Sequence, residues 1–349
     1  MDGSPTRLSI VDLAPIPEGG TATEAFEHTT ERARRAENLG YSRFWVAEHH
    51  DFTDRLASTT PEALTAHLAA ETSSIRVGSG TVLLNHYSPY KVAETFGVLD
   101  ALAPGRVDLG VGRATGDPVS DHALREDRNQ QAYRDDHAEK IEEVASHLYD
   151  GFEDDHPFDR LSLARSRDGV PEIWVHGSSP SSAAIAGELG LRYCFAAFIR
   201  PEPAVRAFEV YRERFEPSSF GAGPEEPKGA IAVNVTCAET DEEAARLRAT
   251  TEASRRRLER GQTDRPPIHS VEEAIDELGG VPDPTPTAVE PDEWPRAISG
   301  SPETVRELLG QMTTQTGVDE VVVMSQLADH EDVLRSDELL AEAVGASEG

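Results

Sequence analysis

A carboxylate and two imidazoles directly follow a short apolar stretch early in the sequence. The stretch runs from Phe44 to Ala47, and Glu48, His49 and His50 come next without a turn signal. A short apolar run with aromatic and branched side chains predicts a buried strand, so these groups lie at its C-terminal end. Histidine titrates near neutral pH, which suits general acid–base chemistry. We expect His49 to act as the acid or base and Glu48 to orient it.

A glycine and two serines at the start of a predicted helix form a candidate phosphate site. Gly177, Ser178 and Ser179 follow the predicted strand at 171–176, and Pro180 leads into the next helix. Backbone N–H groups at a helix N-terminus have no helical partner, and the helix dipole favours an anion there. The two hydroxyls add hydrogen-bond donors. The alternative is that a serine simply caps this helix.

Two other predicted strands contribute candidate residues. Arg113 follows Gly112, so little shields its guanidinium from a ligand. Its possible partners are a phosphate, an anionic ring or one of the many carboxylates of the chain. Gly78 and Gly80 lie inside the predicted strand at 75–83, where glycine indicates a close approach of the backbone.

We do not expect a metal site. His86 or His176 would have to supply a third zinc ligand beside the acid–histidine pair, but no further histidine or acid stands at ligand spacing. The two cysteines, Cys194 and Cys237, form neither a disulfide framework nor a metal motif. Both lie in or at the end of apolar runs, which predicts buried, unreactive side chains.

The elements that must position these groups alternate between strand and helix. Apolar runs predict eight strands, at 8–14, 42–47, 75–83, 106–111, 171–176, 191–197, 229–235 and 319–324. Helical patterns follow them, among them a helix at 23–39 capped by Thr23 and one at 241–258. This alternation predicts a parallel sheet, and eight units favour a closed (β/α)8 TIM barrel, an α/β fold. No Gly-x-Gly-x-x-Gly follows the first strand, which argues against the dinucleotide-binding alternative.

In such a barrel the C-terminal strand ends share one mouth, so the candidate groups are expected to converge there. We expect a single domain over 1–349, with an insertion before the last strand at about 261–300 that covers one face as a lid. The stretch 114–134 is longer than an ordinary connection and is expected to be a functional loop. The alanine-rich helix at 61–72 either contacts a second subunit or packs on its own barrel.

The charge of the chain limits its partners. The formal net charge is −31 in 349 residues, and the only lysines are Lys91, Lys140 and Lys228. Dispersed carboxylate with little lysine is typical of proteins that work in concentrated salt, which screens self-repulsion. Nucleic acid and anionic membranes need a basic face, so neither is expected as a partner. No apolar run approaches the roughly 20 residues of a membrane span, and 1–7 lack a signal-peptide core, which predicts a cytoplasmic protein.

Seven motifs, in order, resemble those of the bacterial-luciferase-like flavin-dependent monooxygenases, a (β/α)8 group. The resemblance covers nearly the whole chain. Its motifs are Asp12–Pro15, Ala36–Tyr41, Trp45–His50, Arg76–Gly80, Pro104–Arg113, Gly177–Ser179 and Gly300–Val305.

The resemblance implies an oxidoreductase that uses reduced FMN, supplied by a separate reductase, and O2 on a small organic substrate. By position, Glu48 and His49 match the acid–histidine pair near flavin and substrate. The step Gly80–Thr81 matches one that often holds a non-prolyl cis peptide under the flavin ring. The phosphate-binding positions correspond to Arg113, Ser178 and Ser179. Family habit also implies a homodimer.

Two departures from the family pattern limit what the resemblance implies. Gly112 stands where luciferase has a reactive cysteine, so light emission from an aldehyde is not implied. Asn85-His86 replaces a proline-bearing turn after the third strand, on the substrate side. Two alternatives remain open, a hydride-transferring oxidoreductase that uses the 5-deazaflavin coenzyme and a non-catalytic flavin-binding barrel. Neither 114–134 nor 261–300 indicates which substrate is bound.

Overall fold

Strands and helices alternate along the part of the chain that the structure, a computed structural model, describes. The described residues are 7–50, 55–113, 118–124, 136–164, 166, 169–219, 223–262, 270–286, 289–290 and 293–345. The strands are β1 (Arg7–Asp12), β2 (Arg43–Val46), β3 (Arg76–Leu83), β4 (Val107–Gly112), β5 (Glu172–Gly177), β6 (Arg192–Ala196), β7 (Gly229–Cys237), β8 (Ala297–Gly300) and β9 (Glu320–Met324).

Helices connect the strands. They are α1 (Ala22–Asn38), α2 (Pro61–Glu71), α3 (Pro89–Leu102), α4 (Pro118–Leu124), α5 (His137–Tyr149), α6 (Pro180–Glu188), α7 (Ala204–Arg214), α8 (Asp241–Leu247), α9 (Ala249–Glu259), α10 (Val271–Leu278), α11 (Pro302–Thr316) and α12 (His330–Val344). A 3₁₀ turn, Leu84–His86, follows β3. Among the described helices, none has the length and apolar character that crossing a lipid bilayer requires.

Eight of the strands close a parallel barrel. Strands β1 to β6 pair in sequence order, β6 pairs with β7, and β7 pairs with β9, which returns to β1. The predicted (β/α)8 TIM barrel is therefore confirmed. Because every pairing is parallel, the C-terminal ends of the eight strands form one rim and their N-terminal ends form the opposite end, here called the floor.

The ninth strand, β8, was not predicted as a strand. It ends the 261–300 stretch and pairs with Asn234–Cys237, the rim-side half of β7, while Ala230–Asn234 of β7 pairs with β9. Its sequence, Ala-Ile-Ser-Gly, contains one large apolar side chain, so unlike the equally short β2 it shows no apolar run. It therefore attaches the end of the expected insertion to the rim of the barrel.

Three other local predictions need correction. Thr21, not Thr23, caps α1, because its hydroxyl accepts from the Glu24 N–H while the Glu24 carboxylate accepts from the Thr21 N–H. The helix predicted at 241–258 is two helices, α8 and α9, which meet at Arg248. Within the expected loop at 114–134, 118–124 form α4, and the remainder lies outside the described residues.

The floor of the barrel is filled by charged side chains that bind one another. Arg43 donates to Glu320 at 2.7 Å and to Asp108 and Glu172 at 2.9 Å each. Asp108 is fully buried and also accepts from Arg76 and from the Trp45 indole. A third arginine, Arg192, pairs with Glu172 at 3.1 Å. These side chains are here called the floor network: Arg43, Arg76, Arg192, Asp108, Glu172 and Glu320.

Two tryptophans lie above this network inside the barrel. Trp45 and Trp174 are buried, with ring centroids 5.3 Å apart in an edge-to-face arrangement. Glycine lets the neighbouring strands approach, since a Cβ on Gly110 would lie 2.2 Å from the Ser79 carbonyl oxygen. The interior is therefore closed from the floor up to the level of the tryptophans, and a ligand can enter only from the rim.

Candidate active site at the rim of the barrel

The residues that the sequence singles out lie on strands or directly after strand ends on the same side of the barrel. Glu48 and His49 follow β2, Arg113 follows β4, and Ser178 and Ser179 follow β5. Gly80 and Thr81 lie in the C-terminal half of β3. Parallel strands carry all of these groups to one rim, as predicted.

Glu48 is the centre of a buried hydrogen-bond network at this rim. Its Oε1 accepts from the Tyr87 hydroxyl and from Nε2 of His50, each at 2.6 Å. Its Oε2 accepts from the backbone N–H of Leu83 at 2.8 Å. One carboxylate therefore ties the end of β2 to the end of β3 and to the turn that follows it.

The hydrogen bond from an imidazole to Glu48 comes from His50, and not from His49 as predicted. In extended chain, side chains two residues apart point to the same side, whereas adjacent side chains point to opposite sides. The backbone of His49 is instead anchored by its N–H, which donates to the Ser58 carbonyl at 2.9 Å. His50 was noted in the sequence but not chosen, although its spacing from Glu48 was the available signal.

The electrostatic surroundings favour neutral His49. Burial, and then the nearby His50, lower the pKa of His49 below its usual value. A neutral imidazole can accept a proton, which a general base must do. Burial also raises the pKa of Glu62, and the charge of Glu48 adds to this rise, so a second carboxyl group near the network is more easily protonated.

The turn after β3 holds Tyr87 in place and is itself supported from α5. The ammonium of Lys140 lies 3.2 Å from the carbonyl oxygens of Asn85 and Tyr87. Nδ1 of His137 lies 2.9 Å from Oδ1 of Asn85. Sequence reasoning missed Tyr87 and Lys140, since contacts across three segments leave no local pattern.

A second group of residues at the rim, here called the platform, consists of Gly80, Thr81, Gly112 and the indole of Trp45. The peptide bond between Gly80 and Thr81 is cis, as the resemblance implied. A Cβ on Gly80 would lie 3.0 Å from Cβ of Trp45, and one on Gly112 would lie 2.7 Å from Oγ1 of Thr81. Side chains at these two positions would press against Trp45 and Thr81, so glycine lets the backbone pack closely here.

The end of β5 leaves hydrogen-bond donors available. Ser179 occupies the N-cap position of α6, but its side chain makes no capping bond to that helix and lies 2.9 Å from Oγ of Ser181. The Ser179 carbonyl accepts from Ser182 and Tyr193, which fixes the turn. The alternative of a plain serine cap does not describe this side chain. The first N–H groups of α6 can therefore serve an anion.

Arg113 completes the set of predicted groups. It is exposed and comes directly after β4, the strand between the platform on β3 and the serines after β5. Hydroxyls, helix N–H groups and a guanidinium are phosphate ligands, and the glycine platform suits a planar ring. The residues present thus fit a phosphorylated planar cofactor. Among the described residues, no group of three or more His, Cys, Asp or Glu side chains is arranged to hold a metal ion.

Comparison with known proteins places this barrel in a family. The model of the luciferase-like monooxygenase family matches residues 6–320, and the chain belongs to that family of enzymes. The chain is 40% identical over 337 residues to "Uncharacterized protein YwcH" of Bacillus subtilis, covering 96% of this chain and 98% of that protein.

A second relative carries a specific activity in its name. The chain is 36% identical over 347 residues to "N-acetyl-S-alkylcysteine monooxygenase" of Bacillus subtilis, covering 98% of this chain and 99% of that protein. Among solved structures, apo-MsnO8 superposes with a TM-score of 0.86 at 42% identity, covering 98% of this chain and 99% of that one.

More distant solved structures share only the fold. The oxygenating constituent of 3,6-diketocamphane monooxygenase of Pseudomonas putida, solved with FMN, has a TM-score of 0.70 at 20% identity, covering 98% of each chain. The coenzyme F420-dependent tetrahydromethanopterin reductase of Methanopyrus kandleri has a TM-score of 0.65 at 16% identity, covering 97% of this chain and 98% of that one. The barrel fold alone therefore does not indicate whether the cofactor is FMN or coenzyme F420.

Proposed function

We propose that this protein is an FMN-dependent monooxygenase that uses reduced FMN and O2 on a small organic substrate. The observation that carries the proposal is the arrangement at one rim of a platform, a set of phosphate ligands and an acid–histidine network. Membership of the luciferase-like monooxygenase family supports it. The relative named N-acetyl-S-alkylcysteine monooxygenase, similar over nearly its full length, supports oxygen transfer to a small molecule.

Each predicted residue has a role in this proposal. Gly177, Ser178, Ser179 and the first N–H groups of α6 bind the phosphate together with Arg113, and Gly80 and Thr81 support the ring. Bound reduced flavin supplies the electrons that activate O2. His49, kept neutral by burial, takes or returns a proton at the substrate.

Glu48 has a different role from the one that the sequence suggested. It is the acceptor that fixes His50 and Tyr87 at the edge of the site, and through them the shape of the substrate side. Glu48 is therefore a positioning residue, which acts through the side chains that it holds.

The 261–300 stretch is proposed as a lid on a single barrel that spans 1–349. Its last segment, β8, pairs with the rim-side half of β7, so the stretch arrives at the same side as the candidate site. A cover there would exclude water from the reacting flavin.

Two protein partners belong to the proposal, a separate flavin reductase and a second copy of this chain. On the outer face of the barrel, α3 carries two exposed apolar side chains, Val98 and Leu102, of which 46% and 70% is accessible. The neighbouring α2 is alanine-rich. Exposed apolar side chains beside small ones suit a homodimer contact, which sedimentation velocity would test.

The proposal is tested by cofactor titration followed by oxygen uptake. Purified protein in concentrated potassium chloride, chosen because of its net charge of −31, is titrated with FMN and with the deazaflavin coenzyme while the visible spectrum is recorded. We expect saturable FMN binding, and oxygen uptake that depends on a reductase and on substrate. Exclusive deazaflavin binding without oxygen uptake would show a hydride-transfer enzyme instead. Flavin binding without turnover across a panel of thioethers, aldehydes, ketones and amines would favour a non-catalytic barrel.

A further inference from the structure

His176 lies inside the barrel at the level of the candidate platform. It is the residue before Gly177 on β5, and its ring packs against Trp45 with centroids 5.0 Å apart and planes at 58°. Its Nε2 would lie 2.9 Å from a Cβ added to Gly110 of β4. The imidazole therefore extends from β5 across β4 toward the indole that supports Gly80.

The two edges of this ring have different surroundings. Nε2 is enclosed and has no hydrogen-bond partner among the described residues. Nδ1 is not among the enclosed, unpartnered atoms of the described residues, so the two nitrogens differ. Because the floor and the tryptophans close the barrel below, a ligand can approach the edge that carries Nδ1 only from the rim.

Burial fixes the charge of the ring. It lowers the pKa of His176 to about 3, even though the carboxylate of Asp108 acts in the opposite direction. The imidazole is therefore neutral near pH 7 and carries one N–H. If the proton were on Nε2, it would be an enclosed N–H without an acceptor, which is rarer in proteins than an enclosed acceptor without a donor. The proton therefore belongs on Nδ1.

We propose that His176 is a cofactor-binding residue whose Nδ1–H donates a hydrogen bond to an acceptor atom on the polar edge of the isoalloxazine ring. This inference rests on the proposed function, since it needs a flavin on the platform formed by Gly80 and Thr81. The neutral donor also stabilises negative charge that the ring gains on reduction, and so it raises the reduction potential of bound flavin.

The test compares His176→Phe with a matched control, His147→Phe. Phenylalanine keeps a planar ring and removes the donor. His147 is also a buried histidine, but it lies on α5 outside the barrel among Tyr90, Phe152 and Phe158, with its Nε2 3.7 Å from a carboxylate oxygen of Glu143. FMN dissociation constants, visible spectra and midpoint potentials are measured for both variants and the wild type.

We expect H176F to bind FMN about five- to tenfold more weakly, the size of one lost hydrogen bond, with a shifted flavin spectrum and a lower midpoint potential. H147F should match the wild type in all three measurements. Tight FMN binding by H176F with an unchanged spectrum and potential would overturn the role of His176 while leaving the proposed function intact. Failure of the wild type to bind FMN would instead remove the proposed function, and this inference with it.

A second measurement needs no variant and so survives poor folding of H176F. Long-range ¹H–¹⁵N correlation spectra of histidine-labelled protein distinguish the two neutral tautomers. We expect the His176 signals to show the proton on Nδ1 and to shift when FMN is added. A proton on Nε2, or signals that FMN does not move, would contradict the assignment.

Discussion

The two ends of the barrel use the same kinds of side chain to opposite effect. At the floor, three arginines and three carboxylates bind one another and exclude a ligand. At the rim, Glu48 is saturated by three donors, but other groups keep unused hydrogen-bonding capacity. Ser179 does not cap its helix, and Nε2 of His176 has no partner among the described residues.

This difference indicates where the fold is stabilised and where it is prepared for a ligand. A buried ionic network is tolerated only when each charge has its partner, and removing one partner is costly. At the rim, the Ser179 hydroxyl and the proposed Nδ1–H of His176 are donors that a ligand can use, so their loss should weaken binding more than folding. Substitutions at the two ends should therefore separate stability from cofactor affinity.

The largest expected effect is at the floor. Asp108→Ala removes the shared acceptor of Arg43, Arg76 and the Trp45 indole and leaves two guanidinium groups short of a partner. We expect a loss of about 3–5 kcal/mol in the free energy of unfolding, measured by urea denaturation in concentrated salt.

The control for this prediction is an exposed ion pair at the same end of the barrel. Asp319→Asn breaks the pair that Asp319 forms with Arg7, both largely exposed, and should cost no more than about 1 kcal/mol. FMN affinity of the folded Asp108→Ala protein should equal that of the wild type. A folded variant with weak FMN binding would show instead that the floor and the rim are coupled.

At the rim, Glu48→Gln should affect turnover more than stability. The amide cannot accept from His50, Tyr87 and Leu83 in the same way, so the ring of His50 loses its orientation. We expect turnover to fall about a hundredfold or more, with a much smaller change in unfolding free energy than for Asp108→Ala. Tyr87→Phe removes one donor and should give an intermediate loss. Near-wild-type turnover for Glu48→Gln would refute the positioning role.

Two helix N-caps offer a matched pair. Ser301 caps α11 through a hydrogen bond from the Thr304 N–H, whereas Ser179 makes no such bond to α6. Ser301→Ala should lower the free energy of unfolding by about 1 kcal/mol and leave FMN affinity unchanged. Ser179→Ala should change stability little and weaken FMN binding about fivefold. Equal behaviour of the two variants in both measurements would indicate that Ser179 is only an ordinary cap.

The smallest effect concerns Glu37 and the loop that enters β3 at the floor. Burial raises the pKa of Glu37, but hydrogen bonds from the backbone N–H groups of Ser74, Ile75 and Ser73 outweigh it and hold the pKa at about 2, against an ordinary 4.5. A depressed folded-state pKa contributes stability above pH 4.5 that is lost as the pH falls toward about 2.

Glu37→Gln should therefore be less stable than the wild type at neutral pH, by no more than about 1 kcal/mol because solvent screens a partly exposed group. The difference should shrink as the pH is lowered through this range. Thermal unfolding of both proteins at several pH values measures it, and a difference that does not depend on pH would contradict the assignment.

Much of the fold follows from local pattern. Each predicted barrel strand overlaps an observed one, because apolar β-rich runs bounded by glycine or proline carry enough residues to show a pattern. The glycines of β3 were also informative, since a glycine inside a strand marks a close approach. β8 shows no such apolar run, because only one of its four residues is large and apolar.

The candidate site was predictable in its residues but not in its contacts. The sequence identified Glu48, yet it paired this residue with His49, while the folded chain places His50, Tyr87 and the Leu83 N–H around it. The sequence suggested His176 only as a possible zinc ligand and not as a partner of Trp45, because alternation along β5 does not say which neighbours a ring will meet.

Sequence alone determined which residues form strands and helices, and so which groups stand at the C-terminal ends of strands. These properties depend on periodicity and on residues adjacent in the chain. Only the tertiary structure decided which donors each carboxylate receives, which charges cancel at the floor and which nitrogen of His176 is enclosed. Those outcomes depend on side chains that are distant in the chain and meet only when the barrel closes.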